Sequence, residues 1–149
     1  MIKLSRSKIE LLFECPRCFW LYAGKGIARP FGAPYTINNA VDFLLKQEFD
    51  IHRKNGTAHY LITREGIDAI PFMHNDIDKW RNNFTGIQYH HKPTDFLVFG
   101  AVDDIWVDSK GNLIVVDYKA SGAKEGELYD SYKRQMEIYT SGYSARMVL

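Results

Sequence analysis

The chain has 149 residues, 46% of them hydrophobic and 14% aromatic, which suits one domain (residues 1–149) with a packed core and excludes a disordered protein. Lysine and arginine number 19 against 18 acidic residues, so any nucleic-acid binding must come from a local basic patch. No apolar run is long enough to span a membrane, and the N-terminus lacks the apolar core of a signal peptide. We therefore expect a cytoplasmic protein with no membrane partner.

Residues 1–54 are expected to be mainly helical. Ser7 and Glu10 match a capping box at the start of a short helix. Cys15 and Cys18 flank a helix break at Pro16, and they are either two small packed thiols or half of a four-thiolate zinc or iron–sulfur site. The chain contains only these two cysteines, so it cannot complete such a cluster alone, and a disulfide is not expected in the cytosol.

Over residues 36–53, apolar side chains recur at spacings of three and four, which predicts a helix over these residues. The apolar stripe consists of Ile37, Val41, Leu44, Leu45 and Phe49. Asp42 stands beside this stripe, where an acidic residue is usually solvated. It becomes a candidate metal ligand if the helix packs over the hairpin described below.

Residues 55–93 form a connecting region with weaker signals. A helix is predicted to begin near residues 74–76, with buried positions at Ile77, Trp80 and Phe84. Residues 86–92 have the pattern of a strand leading to the hairpin. His90 and His91 would point to opposite faces of that strand, so they make a poor joint metal site.

Residues 94–142 contain the hairpin and a final helix. Within residues 96–121, two apolar runs flank a turn-forming cluster at residues 108–112, which predicts the two strands of a β-hairpin. A three-residue loop, with Gly111 at the position that needs a positive φ, sets Asp103 opposite Asp117. A two-residue loop would put these acids on opposite faces, because a one-residue slip turns every side chain over. The position of Gly111 favours the three-residue loop.

Asp103 and Asp117 would then be opposed carboxylates at the end of an apolar face. In such a pair, one acid is often simply exposed to solvent at the hairpin end. Two close carboxylates also repel each other, however, and a divalent cation between them would compensate their charge. Lys119 lies on the same face as Asp117. An ammonium there can orient or help deprotonate an attacking water and offset charge on a phosphate, so the pattern indicates a metal site for cutting nucleic acid.

A last helix is predicted over residues 126–140, followed by a C-terminal segment with little room for another strand. Its sheet-facing side carries Leu128, Tyr132, Gln135 and Tyr139. A buried Gln135 needs hydrogen-bond partners, which the acidic hairpin end or a nucleic-acid phosphate can supply. Lys133 and Arg134, on the opposite side, can contact phosphates or can be ordinary solvated charges.

Three motifs follow one another along the chain: Gly100-Ala101-Val102-Asp103, then Asp117-Tyr118-Lys119, then Gln135 with Tyr139 four residues later. In this order they resemble the PD-(D/E)XK nuclease superfamily, in particular its RecB-like exonuclease branch. The N-terminal SRSKIELLFECPRCFWLY is also similar to the opening of that branch, including its CRISPR-associated members. The resemblance covers residues 4–139. It implies an α/β (α+β) fold with a restriction-endonuclease-like core, a mixed β-sheet whose central hairpin is flanked by helices.

The resemblance also implies a set of roles. Asp103 and Asp117 would bind Mg²⁺ or Mn²⁺, with the backbone carbonyl of Tyr118 as a further ligand and Lys119 as the catalytic lysine. Gln135 and Tyr139 would match the Gln-x-x-x-Tyr motif near the substrate backbone. The expected activity is hydrolysis of phosphodiester bonds in DNA, with a helicase or another DNA-processing protein as a candidate partner. Oxygen ligands suit these hard cations.

The chain departs from the branch at three places. Asp42 stands where a histidine is usual on the second helix, and the three C-terminal cysteines of iron–sulfur members are missing. Family members normally continue into further strands, whereas this chain stops at Leu149. We therefore expect either a truncated or minimal nuclease or a catalytically inactive DNA-binding or accessory protein. A phosphoesterase for small molecules is disfavoured, because residues 133–135 suit an extended backbone.

Overall fold

The computed structural model describes residues 1–30, 32, 36–119, 129–141 and 145–147, and for residues 36, 37 and 145–147 it describes the main chain alone. The helices in these ranges are α1 (Arg6–Glu14), α2 (Pro16–Lys25), α3 (Thr36–Asn55), α4 (Tyr60–Arg64), α5 (Ile77–Trp80) and α6 (Asp130–Thr140). The strands are β1 (Ile2–Ser5), β2 (Ile70–Pro71), β3 (Ile87–His91), β4 (Phe96–Gly100), β5 (Asp104–Val107), β6 (Leu113–Val116) and β7 (Ala145–Met147). Among the described helices, none has the length and apolar character needed to cross a membrane.

The strands form two small sheets. The first has the order β1-β4-β3, with β1 parallel and β3 antiparallel to β4. The second has the order β2-β5-β6-β7, in which β2, β5 and β6 are antiparallel neighbours and β7 runs parallel to β6. The fold is therefore mixed α+β, and the β5–β6 hairpin lies at the centre of a mixed sheet, as expected.

The hairpin has the register that the three-residue loop predicts. Val107 pairs with Leu113, and Ile105 pairs with Val115. Gly111 has a φ of 81°, a conformation that residues with a Cβ rarely adopt. The ladder ends at the Asp104–Val116 pair, so Asp103 and Asp117 come one residue beyond it on adjacent chain segments.

The apolar run before the turn is two strands and not one. β4 belongs to the first sheet and β5 to the second, and residues 101–103 connect them. The expectation of one continuous strand is wrong because the main chain of the connector has other partners: the Val102 N–H donates to the Trp80 carbonyl at 3.1 Å, and Arg81 Nε donates to the Asp103 carbonyl at 3.0 Å. The Asp103 carboxylate is thereby placed at the point where the chain crosses between sheets.

Helices cover both faces of the hairpin. On one face, Ile105 and Val115 pack with Met136 and Tyr139 of α6. On the other, Trp106, Ile114 and Val116 pack with Phe49 of α3 and Ile62 of α4. The Phe49 and Trp106 rings stack with centroids 5.4 Å apart, and burying one such side chain stabilises the fold by about 1.5–3 kcal/mol. This packing brings α3 and α6 to the same end of the hairpin.

The start of α1 differs from the predicted capping box. Ser5, and not Ser7, is the N-cap residue, and its hydroxyl accepts the Lys8 N–H at 3.4 Å. Glu10 is buried and forms an ion pair with Arg134 of α6 at 2.6 Å. Because its carboxylate is used in this long-range contact, Glu10 does not serve as the capping acid.

Several apolar residues that the helical pattern places in the core are exposed. Leu44 is 58% exposed and Phe84 is 89% exposed, and Val41 is exposed as well. α3 packs on the hairpin through Leu45 and Phe49, so the flank that carries Leu44 is uncovered. α5 ends at Trp80, so Phe84 lies in the following turn, where its N–H donates to Asn82 Oδ1 at 2.8 Å.

The segment after α6 contains a strand, contrary to the expectation of little room for one. β7 needs only three residues, because the free edge of β6 supplies its hydrogen-bonding partner. The predicted helix start at residue 126 and the position of Leu128 lie outside the described residues.

Candidate metal and nucleic-acid site

A cavity of about 360 Å³ lies at the acidic end of the hairpin. The sequence candidates among its lining residues are Asp42, Asp103, Asp117, Lys119, Gln135 and Tyr139. They come from α3, the connector before β5, the segment after β6, and α6. The structure therefore brings these side chains together from four parts of the chain.

The Asp103 carboxylate is held from two sides. Its Oδ2 accepts the Tyr118 N–H at 2.8 Å, and its Oδ1 accepts Lys46 Nζ at 3.2 Å. Burial raises the pKa of Asp103, and the nearby charge of Asp117 raises it further, while the Lys46 ammonium acts in the opposite direction. The carboxylates of Asp103 and Asp117, which carry like charges, therefore lie close together.

The Asp117 carboxylate is almost fully buried, with 5% of its side chain exposed. Gln135 Nε2 donates to Asp117 Oδ1 at 2.7 Å, and the Lys119 ammonium forms an ion pair with Oδ2. Lys119 Nζ also lies 5.3 Å from the centre of the Tyr132 ring, a cation–π distance. The buried Gln135 therefore finds the partner that the sequence requires at the acidic hairpin end.

Asp42 reaches the site through Lys46, which the sequence reading did not single out. Lys46 Nζ lies 2.8 Å from Asp42 Oδ2 and 3.2 Å from Asp103 Oδ1. The four-residue spacing of Asp42 and Lys46 along a helix was the signal that could have found this pair. Asp42 Oδ1 is buried and has no hydrogen-bond partner among the described residues, so one oxygen of this carboxylate is unsatisfied.

An ionic network formed by Asp50, Arg53, Arg81, Asp104 and Tyr118 lies next to the site. The side chains of both arginines and of Asp104 are at most 9% exposed, whereas Asp50 is partly exposed. Asp104 is fully buried; its Oδ1 accepts the guanidinium of Arg53 and, at 3.1 Å, that of Arg81, and its Oδ2 accepts the Tyr118 hydroxyl at 2.9 Å. Arg81 Nη1 also donates to both oxygens of Asp50 at 2.9 Å. Two guanidiniums thus balance two carboxylates, and the network fixes Tyr118 beside the cavity.

Tyr139 lines the cavity and packs against Gly100 at the end of strand β4. A Cβ atom added to Gly100 would lie 2.5 Å from Tyr139 Cε1, so the ring packs directly on the glycine main chain. The Tyr139 hydroxyl accepts Gln135 Nε2 at 3.4 Å. Burial raises the pKa of Tyr139, so the hydroxyl is neutral and can act as a hydrogen-bond donor.

Lys133 and Arg134 do not line this cavity. Lys133 is exposed and pairs with Asp130 at 3.5 Å. Arg134 pairs with Glu10 at 2.6 Å, and its guanidinium lies 4.8 Å from the centre of the Phe13 ring. Arg134 therefore joins α6 to α1, and its guanidinium is already engaged by the protein.

Arg6 is a basic residue of the cavity that the sequence reading missed. It begins α1 and lines the cavity together with Asp103 and Lys119. The same three residues also line an adjoining cavity of about 970 Å³, which extends between α3 and Tyr132. Together the two cavities offer space for an extended ligand beside the carboxylates.

The donor set fits a hard divalent cation. Among the described residues, no three Asp, Glu, His or Cys side chains converge as a ready-made metal site. Mg²⁺, however, is commonly held by one or two carboxylates and keeps several waters. The pKa of Asp103 is raised by burial and by the nearby charge of Asp117. A cation would offset both effects and would also give the unsatisfied oxygen of Asp42 a partner.

Comparison of the chain with protein-family models, with curated proteins and with solved structures found no match. The chemistry of the site is therefore inferred from the geometry of its residues. That geometry combines acidic oxygens, the partly exposed ammonium groups of Lys46 and Lys119, and a buried amide in a single cavity.

Proposed function

We propose that this protein is a Mg²⁺- or Mn²⁺-dependent nuclease that hydrolyses phosphodiester bonds in DNA, with the restriction-endonuclease-like core of the PD-(D/E)XK superfamily and the motifs of its RecB-like exonuclease branch. One observation carries the proposal: Asp103, Asp117, Lys119 and Gln135 line a single cavity, at the end of a hairpin with the register that opposes the two acids.

Asp103 and Asp117 would hold the cation, with Asp42 and the Tyr118 carbonyl as further candidate ligands. The bound cation supplies Lewis acidity and charge neutralisation at the attacked phosphate. Lys119 is the residue that would act on the attacking water, because its Nζ is next to Asp117 and its side chain lines the cavity and is 39% exposed. From this position the ammonium orients the water and donates to a phosphate oxygen.

Other residues position this machinery. Gln135 fixes one oxygen of Asp117, and the Tyr118 N–H fixes one oxygen of Asp103. Arg6 and Lys46 add positive charge to the cavity wall, which favours a polyanionic substrate over a neutral one. The two adjoining cavities share Asp103, Asp117 and Lys119 among their lining residues, so an extended ligand that occupies both would pass the carboxylates.

The test is cleavage of linear single-stranded and double-stranded DNA with Mg²⁺ or Mn²⁺. Asp117→Asn should abolish cleavage, and Lys119→Met should lower the rate by about 10²–10⁴-fold, the usual contribution of a group that assists proton transfer. Lys110→Met is the matched control, since it removes an exposed lysine in the hairpin loop, which lines neither cavity, and should leave the rate unchanged. Full activity in Asp117→Asn would refute the proposal.

A second candidate function is that of a catalytically inactive DNA-binding or accessory protein. The observation that favours it is that each carboxylate of the site has a protein cation, Lys46 on Asp42 and Asp103, and Lys119 on Asp117. Calorimetry with Mn²⁺ separates the two candidates. Binding that is lost in both Asp103→Asn and Asp117→Asn, without cleavage of any DNA, would support the inactive protein.

A further inference from the structure

The two cysteines lie outside the cavities described above and form a contact of their own. Cys15 is the N-cap residue of α2, and Cys18 lies in the first turn of that helix. The two Sγ atoms are 2.6 Å apart, and the Cys18 N–H donates to Cys15 Sγ at 3.2 Å. Both are free thiols and both are partly exposed, so reagents from solution can reach them.

The surroundings of Cys15 favour its thiolate. The Cys18 thiol and the Cys18 N–H lower the pKa of Cys15, and the Arg29 guanidinium acts in the same direction. Arg29 is held at this place by an ion pair with Glu14 at 2.9 Å. A thiolate at a helix N-terminus beside an arginine is the environment in which cysteines become nucleophilic.

The helix geometry also brings the second sulfur within reach. A disulfide bond has a length of about 2.05 Å, so only a small movement of the Cys18 side chain separates the contact from a bond. Pro16 occupies the first position of α2, where its fixed φ suits a helix start, and the Cys18 N–H donates to the N-cap side chain of Cys15. The first turn of α2 thus holds a dithiol in a preorganised arrangement.

We propose that Cys15 and Cys18 are a reversible dithiol–disulfide pair that low-molecular-weight disulfides oxidise. The Cys15 thiolate attacks one sulfur of the small disulfide, forms a mixed disulfide and releases the first small thiol. The Cys18 thiolate then attacks Cys15 Sγ, forms the internal disulfide and releases the second small thiol. Two electrons pass from the protein sulfurs to the small disulfide, and the two protein thiol protons end on the two released thiols.

The first experiment uses the wild-type chain in mixtures of reduced and oxidised glutathione, under native conditions and in concentrated urea. After acid quenching and alkylation of free thiols, intact mass measures the fraction with an internal disulfide. Stabilisation of the Cys15 thiolate favours the reduced pair, whereas the contact between the two sulfurs in the folded chain favours the disulfide. We expect the contact to prevail, so that native chains form the disulfide at a glutathione ratio at least about tenfold more reducing than unfolded chains require, equivalent to about 30 mV. An equal or more oxidising requirement in the native state, persistent glutathione adducts on both cysteines, or disulfide-linked dimers would overturn the proposal.

The second experiment identifies the attacking sulfur. Cys18→Ser should accumulate a stable mixed disulfide on Cys15, whereas Cys15→Ser should react more slowly with oxidised glutathione. Arg29→Gln should slow alkylation of Cys15 near neutral pH, and the exposed neighbour Arg17→Gln is its matched control and should not. Faster reaction at Cys18 than at Cys15, or equal effects of the two arginine variants, would contradict the assignment of Cys15 as nucleophile.

Discussion

The side-chain amide of Gln135 donates to Asp117 Oδ1 at 2.7 Å, which joins α6 to the segment after β6. Gln135 is 5% exposed, and Asp117 is similarly buried, so water cannot readily replace this bond. The amide fixes the orientation of the carboxylate while leaving its other oxygen to Lys119. Gln135 is therefore a positioning residue for the proposed metal site.

Gln135→Leu tests this role. Loss of the amide removes one hydrogen bond from a buried carboxylate, so we expect the free energy of unfolding to fall by about 1–3 kcal/mol. Metal affinity should fall by about 10–100-fold, as is usual when a residue that orients a ligand is removed. Urea denaturation measures the first quantity and Mn²⁺ calorimetry the second.

The control is Met136→Leu, at the neighbouring buried position of α6, which changes packing and removes no polar contact. It should leave Mn²⁺ affinity at the wild-type value. If Gln135→Leu and Met136→Leu weaken Mn²⁺ binding equally, the effect comes from helix packing, and the positioning role of Gln135 is excluded.

The hairpin could be predicted from the sequence because the signals that define it are local. Gly111, at the third loop position, determines the register, and this register places Asp103 next to Asp117. The interruption between β4 and β5 gave no such signal. It depends on the carbonyl of Trp80 and the guanidinium of Arg81, which reach the connector from a separate segment.

The partners of the site residues could not be predicted for the same reason. Lys46 is 57 residues from Asp103 in the sequence, and Arg134 is 124 residues from Glu10. Charged residues on helices are usually solvated, and the local patterns around Lys46 and Glu10, a four-residue spacing and a capping box, do not point to their distant partners. Only the tertiary packing of α3 on the hairpin, and of α6 on α1, gives these charges their partners.

The ionic network predicts a large loss of stability when one buried partner is removed. Asp104→Asn leaves the Arg53 guanidinium, whose side chain is 3% exposed, without its main counter-charge. We expect the free energy of unfolding to fall by about 3–5 kcal/mol in urea denaturation. The double variant Arg53→Met/Asp104→Asn should recover part of this loss, because it leaves no uncompensated cation. A double variant with the summed loss of the two single variants would contradict the network.

Asp50 makes stability dependent on acid pH. Burial opposes its ionisation, but the hydrogen bonds and charges of Arg81 and Arg53 prevail, so the pKa of Asp50 is lowered. A carboxyl whose pKa is lower in the folded than in the unfolded chain stabilises the fold at pH values above its pKa in the unfolded chain, about 3.9. This stabilisation is lost as the pH falls from there through the pKa of the folded chain. The urea midpoint of the wild type should therefore fall more steeply below about pH 5 than that of Asp50→Asn.

The matched comparison for Asp50 is Asp95, an exposed carboxyl. The N-terminal ammonium and His90 lower the pKa of Asp95, so its contribution has the same sign. Asp50 is partly exposed, but its partners Arg53 and Arg81 are almost fully buried, so high salt should reduce the effect of Asp95→Asn more than that of Asp50→Asn. Equal salt sensitivity of the two variants would argue against a contribution of the buried arginines to the stability that Asp50 provides.

Gly100→Ala tests the close approach of α6 to β4. The new Cβ would lie 2.5 Å from Tyr139 Cε1 and 3.2 Å from Arg6 Cβ, so the ring must move. We expect a loss of about 1–3 kcal/mol in the free energy of unfolding, the usual cost of overpacking. Tyr139→Leu in the same chain should recover part of this loss, because a smaller side chain relieves the contact.

Gly111→Ala is the control. Open space surrounds Gly111, and the cost of an alanine there comes from its φ of 81°. Adding Tyr139→Leu to Gly111→Ala should therefore recover none of the lost free energy of unfolding.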